Sequence, residues 1–414
     1  MKRINIVGIF PGRPINPEAQ KCIRESQVIF SGKRNRELIP ETNAQLLGIG
    51  TLKEFSVELA NAFTEGKIIT VIASGDPIFF GIGKYITEHY DVSEISIVPE
   101  VSSLQVALSR IGMDANNIRT ISLHGRPVKG LAQKIRNNVK IALFTDSNNT
   151  PSNIAEYMKI FGLKDYIIYI FERLGYSYEK IGKYALDEVI GRKFDALNIM
   201  VLKKDGNNNT QLPDDNAFLR KNDNITKREI REISISELEL NNGDTLWDIG
   251  SGSGSVAIYA SLMDVDGKVY AIEKEKVLCG YIEENMIKFS TDINIINGKA
   301  PEALESLPDP DAIFIGGSSG NITKIFEYSY GRIRKGGRIV ANIATLENFQ
   351  ALMAYLRENK LHCEVIQANI SRLDSISMYT RFVPLDQIYI IKVRKSQLPP
   401  AHAGGLFREG QHKS

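Results

Sequence analysis

Cysteine, histidine and net charge are all scarce in this chain, and each scarcity removes a class of function. Only Cys22, Cys279 and Cys363 occur in 414 residues, scattered and odd in number. That excludes a disulfide framework and predicts a reducing, cytoplasmic setting. Five scattered histidines and no C-x-x-C spacing give no metal site to expect. The 51 Lys and Arg nearly balance the 49 Asp and Glu, for a net +2, so no global field recruits nucleic acid. No apolar run approaches the roughly 20 residues that span a bilayer. The N-terminus enters a strand-like run, Ile4–Val7, without a signal-peptide cleavage pattern. What is present, 43% hydrophobic and 24% charged residues, describes a globular protein long enough for two cores.

Against that background one stretch stands out, Leu246-Trp247-Asp248-Ile249-Gly250-Ser251-Gly252-Ser253-Gly254-Ser255. It reads as a buried strand, a glycine-dense turn and then a helix over Val256–Leu262. A second strand, Lys268–Ile272, ends on Glu273. Glycine permits positive φ and lets a ligand lie against bare backbone. A helix beginning there offers free N–H groups. An acid about 20 residues on, at the tip of the next strand, can accept both hydroxyls of a ribose. The dinucleotide fingerprint is G-x-G-x-x-G, whereas glycines 250, 252 and 254 give G-x-G-x-G behind Asp248. That spacing resembles motif I of Rossmann-like methyltransferases that use S-adenosylmethionine, with Asp248 holding the turn or the methionine ammonium. NAD binding and a ligand-free Gly/Ser loop are the competing readings.

Three further loops join the same edge. A helix over Gly280–Ser290 leads to a strand, Ile293–Ile296, that delivers Gly298-Lys299-Ala300-Pro301-Glu302. A strand at Asp311–Ile315 opens into Gly316-Gly317-Ser318-Ser319-Gly320-Asn321, and one at Ile339–Asn342 leads to Thr345-Leu346-Glu347-Asn348. In open α/β sheets ligands sit outside the carboxyl ends of the strands. Thr226-Lys227-Arg228-Glu229 reads first as a capping box, with a ligand contact for Thr226 as the alternative. Gly336-Gly337 reads as a plain turn. A strand at Leu197–Leu202 runs into polar, turn-rich sequence, so a linker is placed at 204–216 between domains 1–203 and 217–395. The tail 396–414 lacks periodicity and is expected to fray. Both halves alternate apolar runs with helical patterns, the α/β signature.

The C-terminal motifs together resemble the corrin-ring methyltransferases of cobalamin biosynthesis that act at C-15 and remove a ring acetate carboxyl, over Pro213 to about Ile391. The resemblance implies a Rossmann-like fold and cofactor contacts at Thr226, Gly250, Ser251, Gly252, Ser253, Gly254, Glu273 and Ala300. Two positions depart from the pattern: Tyr259, where an acid is usual, and Leu385-Asp386-Gln387, where Asn-Pro is usual.

The N-terminal half pairs strands with small or polar loops: Val7-Gly8-Ile9-Phe10-Pro11-Gly12, Ser74-Gly75-Asp76-Pro77-Ile78-Phe79-Phe80-Gly81, and Val98-Pro99-Glu100-Val101-Ser102-Ser103. Ser122-Leu123-His124-Gly125-Arg126, Phe144-Thr145-Asp146 and Phe171-Glu172-Arg173-Leu174-Gly175 complete the series. No G-K-[ST] follows the first loop, which excludes a P-loop. Order and spacing resemble the tetrapyrrole methylases, a two-lobed α/β fold, nearest to members that methylate C-5. By that resemblance Gly75, Asp76, Pro77, Ser102, Ser103 and Thr145 contact a second S-adenosylmethionine. Pro11 and Gly12 belong to the loop over a substrate trough, and Arg126 faces ring carboxylates. Phe10 stands where glycine is usual and is expected to put bulk into the trough loop. Glu100 stands where a small residue is usual and sets a carboxylate beside Ser102-Ser103.

The whole is expected to be a bifunctional corrin methyltransferase with one S-adenosylmethionine per domain, a corrinoid substrate, and no nucleic-acid or membrane partner. A homo-oligomer is implied by the resemblance. Methyl transfer requires alignment and desolvation and no metal or covalent nucleophile, so no catalytic residue is assigned. The alternative is a methyltransferase of another tetrapyrrole or of a macromolecule, with a degenerate N-terminal domain.

Overall fold

The computed structural model describes residues 4–206, 212–222, 224–264, 266–376 and 378–395. They form two compact units whose division falls at residues 207 and 208; the short segments 129–137 and 158–163 group with the second. The middle of the expected linker and the tail 396–414 lie outside the described residues. At the described ends of that linker, Lys204 closes a strand and Asp215 is buried.

The first unit contains two sheets. One is fully parallel: β1 (Ile4–Ile9), β2 (Val28–Ser31), β3 (Gln45–Gly48), β4 (Ile69–Ser74) and β5 (Ile95–Val98), in the order β3-β2-β4-β1-β5. Its inner strand β1 is buried throughout, which is why Ile4, Ile6, Val7 and Ile9 read as an almost unbroken apolar run. The other sheet is mixed: β6 (Ile118–Ser122), β7 (Lys140–Phe144), β8 (Tyr166–Glu172), β9 (Lys180–Tyr184) and β10 (Asn198–Lys204), in the order β6-β7-β10-β8-β9. Each expected N-terminal loop follows the end of a strand.

The second unit is built on one seven-stranded sheet. Its strands are β11 (Thr245–Ile249), β12 (Lys268–Glu273), β13 (Asn294–Asn297), β14 (Ala312–Ile315), β15 (Arg338–Ile343), β16 (Cys363–Ala368) and β19 (Ile388–Arg394). The order is β13-β12-β11-β14-β15-β19-β16, parallel except for β19. β17 (Ser371–Ile376) and β18 (Tyr379–Pro384) form a separate hairpin. Alternation along the central strands divides the core. Leu246, Ala312 and Phe314 pack with the helices Arg228–Leu238 and Ser255–Met263; Trp247, Ile313 and Ile315 pack with Ile322–Arg332 and Leu346–Glu358. The strand order reverses between β11 and β14, which opens a crevice at their carboxyl ends.

Candidate functional site

That crevice holds a pocket built from four strand-end loops. β11 supplies Ile249, Gly250, Ser251, Gly252 and Ser253; β12 supplies Glu273; β13 supplies Gly298 and Ala300; and β14 supplies Gly316 to Ser319. Asn224, Ile225 and Thr226 close one side. The three loop glycines do different work. A Cβ on Gly250 would lie 2.6–2.7 Å from the backbone of Gly317, so this glycine lets the β11 and β14 loops touch. Gly252, at φ +60°, would have nothing within 4 Å of a Cβ and presents bare backbone to the pocket. Gly254 is the left-handed cap residue of the helix Ser255–Met263, packed beside Ile282 and away from the pocket wall. Seven of the eight C-terminal residues expected at a cofactor thus surround one pocket, and Gly254 supports it from behind.

Glu273 is almost fully buried at the tip of β12. Its Oε2 accepts from the Gly252 N–H at 2.9 Å and its Oε1 from the Glu275 N–H at 3.0 Å. The carboxylate therefore fixes the glycine loop and still has lone pairs for a diol. Asp248 does not line the pocket. Its Oδ2 accepts from the Ser251 hydroxyl at 2.6 Å and from the Ala257 N–H at 3.0 Å, so it holds the turn and the helix start. Its Oδ1 is buried without a partner among the described residues. Burial first, and the Glu273 charge less, push its carboxyl up to about 7.

The capping-box reading of Thr226 is corrected. The helix Arg228–Leu238 starts after Lys227 with no side-chain cap. Glu229 instead accepts from Arg372 of the hairpin, Nε to Oε1 at 3.1 Å and Nη2 to Oε2 at 2.5 Å. Asp215 takes over at the helix start, accepting from the Arg228 N–H and from Arg231 and Arg372. A long-range ion pair outcompetes the local box, and Thr226 is left facing the pocket. Tyr259 is core: its ring lies 4.4 Å from the guanidinium of buried Arg231. Sequence reasoning missed Lys274, whose Nζ donates to Ser319 Oγ at 2.8 Å on the pocket wall. Its position directly after Glu273 was the available clue.

In the first unit, Gly75 follows β4 at φ +71° and a Cβ there would lie 3.0–3.5 Å from Val101 O, Ser102 Cα and Ser103 N. The structure therefore brings Gly75, Ser102 and Ser103 together. The Ser102 hydroxyl is committed to a capping box with Gln105. Asp76 Oδ1 accepts from the Ile78 N–H at 3.0 Å, ahead of the Pro77 turn. Thr145, after β7, donates to Asn198 Oδ1 at 2.8 Å. The Pro11-Gly12 loop abuts Gly175, where each glycine's added Cβ would meet the other loop's carbonyl at 2.3 Å. Arg126 is exposed beyond β6.

Of the two unusual residues in these loops, Phe10 is not where it was expected. Phe10 is buried in the core with Leu104, Phe171 and Leu174, its ring against Gly175, so its bulk leaves the loop surface. Glu100 does set its carboxylate next to Ser102, its Oε1 accepting from the Val101 N–H at 2.9 Å and lying 3.4 Å from Arg13 Nε.

Among the described residues no cluster of His, Cys, Asp and Glu could hold a metal, no helix is long and apolar enough to cross a membrane, and all three cysteines are free.

Residues 217–395 match the precorrin methyltransferase domain family, and residues 3–190 the tetrapyrrole (corrin/porphyrin) methylases. A precorrin-6Y C(5,15)-methyltransferase (decarboxylating) from Sinorhizobium is 29% identical over 89% of this chain and 90% of its own length. A probable cobalt-precorrin-6B C(15)-methyltransferase (decarboxylating) from Pyrobaculum aerophilum is 33% identical over 44% of this chain and 93% of its own. A precorrin-6Y C5,15-methyltransferase structure from Geobacter metallireducens, 34% identical, covers 45% of this chain and 99% of that one, with a TM-score of 0.43.

Proposed function

Since the chain belongs to the decarboxylating precorrin-6Y C5,15-methyltransferase family, we propose that it methylates C-5 and C-15 of precorrin-6B or its cobalt form and decarboxylates the C-12 acetate, giving precorrin-8 in cobalamin biosynthesis. The single observation that carries this reading is the bare Gly252 backbone facing the pocket, bonded to Glu273. That cradle fits a nucleoside without a pyrophosphate. S-adenosylmethionine, when bound, supplies an electrophilic methyl group on a sulfonium.

The chain's part is alignment. Glu273 takes the ribose hydroxyls, Thr226 and Ala300 flank the remaining nucleoside, and Gly250 to Ser253 make room for the methionine portion. Asp248 keeps the turn in shape. An enamine-like ring carbon is the nucleophile: it forms the new C–C bond as the methyl–sulfur bond breaks, so the protein needs position and exclusion of water more than a base. Decarboxylation breaks the acetate C–C bond into the conjugated ring and adds a proton there. The N-terminal unit is assigned the C-5 transfer, with a second S-adenosylmethionine at Gly75, Asp76, Pro77, Ser102, Ser103 and Thr145. Pro11, Gly12 and Arg126 are assigned to the ring. Domains 1–203 and 217–395 divide these tasks. Three free cysteines support a cytoplasmic setting, and a homo-oligomer is proposed from the family.

Precorrin-6B and S-adenosylmethionine, followed by mass spectrometry, test the division. Gly252→Val should abolish one methyl transfer and carbon dioxide loss together, whereas Asp76→Ala should remove only the other methyl. Carbon dioxide loss intact in Gly252→Val, or lost in Asp76→Ala, overturns the assignment. Calorimetry with S-adenosylhomocysteine should find two sites per chain; one site refutes the second cofactor.

A further inference from the structure

In the first unit, the loop after β4 displays two large apolar side chains, Ile78 and Phe80, 55% and 53% exposed. Phe80 does so at φ +55°, a left-handed conformation in which a bulky residue is strained. The loop is rigidly built. Pro77 O accepts from the Gly83 N–H at 3.0 Å, and a Cβ on Gly81 or Gly83 would lie 2.5 Å from that same oxygen. The Phe80 ring leans on Phe79 at 5.0 Å and on Phe144, the last residue of β7, at 5.5 Å. Phe144 O accepts from the Leu123 N–H at 2.9 Å, which joins the start of the Arg126 loop to the end of β7. That loop is also pinned: the Gly125 N–H donates to Asp146 Oδ2 at 2.7 Å, and Asn149 Nδ2 donates to Leu123 O and Arg126 O at 2.9 and 3.0 Å. With its backbone so held, the Arg126 side chain is exposed and has no ion-pair partner among the described residues.

We propose that Ile78 and Phe80 form an apolar rest for the broad face of the conjugated ring, with Arg126 binding a peripheral carboxylate, and that together they position the C-5 acceptor carbon. The inference deepens the assignment of C-5 transfer to this unit and rests on it. An apolar face edged by carboxylates is complementary to an exposed aromatic ring and an exposed guanidinium carried on two loops that both meet the end of β7. A half-exposed phenylalanine held in a left-handed conformation costs stability.

The test uses the full chain with precorrin-6B, following C-5 transfer by mass spectrometry. Phe80→Ala should raise the KM for the corrinoid about tenfold, with S-adenosylhomocysteine affinity and carbon dioxide release unchanged. Phe80→Tyr should restore the KM. Phe80→Gly separates position from packing: it relieves the left-handed strain, so thermal stability should hold while the KM still rises. Arg126→Gln should raise the KM further. Wild-type C-5 transfer with unchanged KM in Phe80→Ala and Phe80→Gly overturns the inference alone. A wild-type chain that methylates C-15 and never C-5 overturns the underlying assignment, and this inference with it.

Discussion

Replacing Glu273 by alanine removes a buried carboxylate that has two amide donors in the protein and, in the proposed complex, two ribose hydroxyls. The Gly252 and Glu275 N–H groups sit at 2.9 and 3.0 Å from it. Both amides border the pocket and can turn to water, so the cost to folding should be modest, about 1 kcal/mol. The cost to binding is larger, because hydroxyls bonded to a charged, nearly buried acceptor lose bonds worth about 1.5–3 kcal/mol. That corresponds to roughly a 10- to 150-fold weaker Kd. Calorimetry with S-adenosylhomocysteine on the full chain should show one site weakened by that factor and the other unmoved. Glu273→Gln should fall between, since its amide nitrogen must face one of the two N–H donors. An unchanged Kd at both sites, or equal losses at both, would remove Glu273 from the ribose role.

Gly250→Ala places a methyl 2.6–2.7 Å from the Gly317 backbone at φ +72°, and should destabilise the second unit by about 2 kcal/mol or more, read as a lower melting midpoint; an unshifted midpoint would mean the two loops do not meet. Asp248→Asn tests a proton. Because burial raises this carboxyl to about 7, above its ordinary value near 3.9, its contribution to stability is fully present below about pH 4 and is lost as pH rises through about 7. The asparagine variant keeps an acceptor for Ser251 and Ala257 and should flatten that decline in denaturant midpoints; parallel pH curves would exonerate Asp248.

The legible features were local ones. The β11 turn, its helix and the tip of β12 could be read because glycine spacing, an apolar strand and an acid about 20 residues on are properties of a short stretch of chain. The same holds for the strand-end loops, since alternation fixes where each strand stops. Local rules failed where a distant residue offered more. Glu229 left its capping position for Arg372, 143 residues away, because a two-point bond to a guanidinium is stronger than a cap to a backbone N–H. Phe10 vanished into the core because Gly175 leaves room for its ring. Nothing near Gly250 announces Gly317, whereas the spacing of Ser102 and Gln105 is that of a capping box and was there to be read.

By itself, then, the sequence determined two α/β units, the glycine turn with its acid, and the families to which the motifs lead, because these depend on periodicity and spacing along the chain. Only the tertiary structure decided which glycine faces the pocket, that Asp248 holds the turn rather than lining the site, and that Phe80 stands exposed against Phe144. The glycine and Phe80 outcomes follow from close approach between segments far apart in sequence, where a few tenths of an ångström decide whether a side chain fits; Asp248 is turned inward by its near neighbours Ser251 and Ala257.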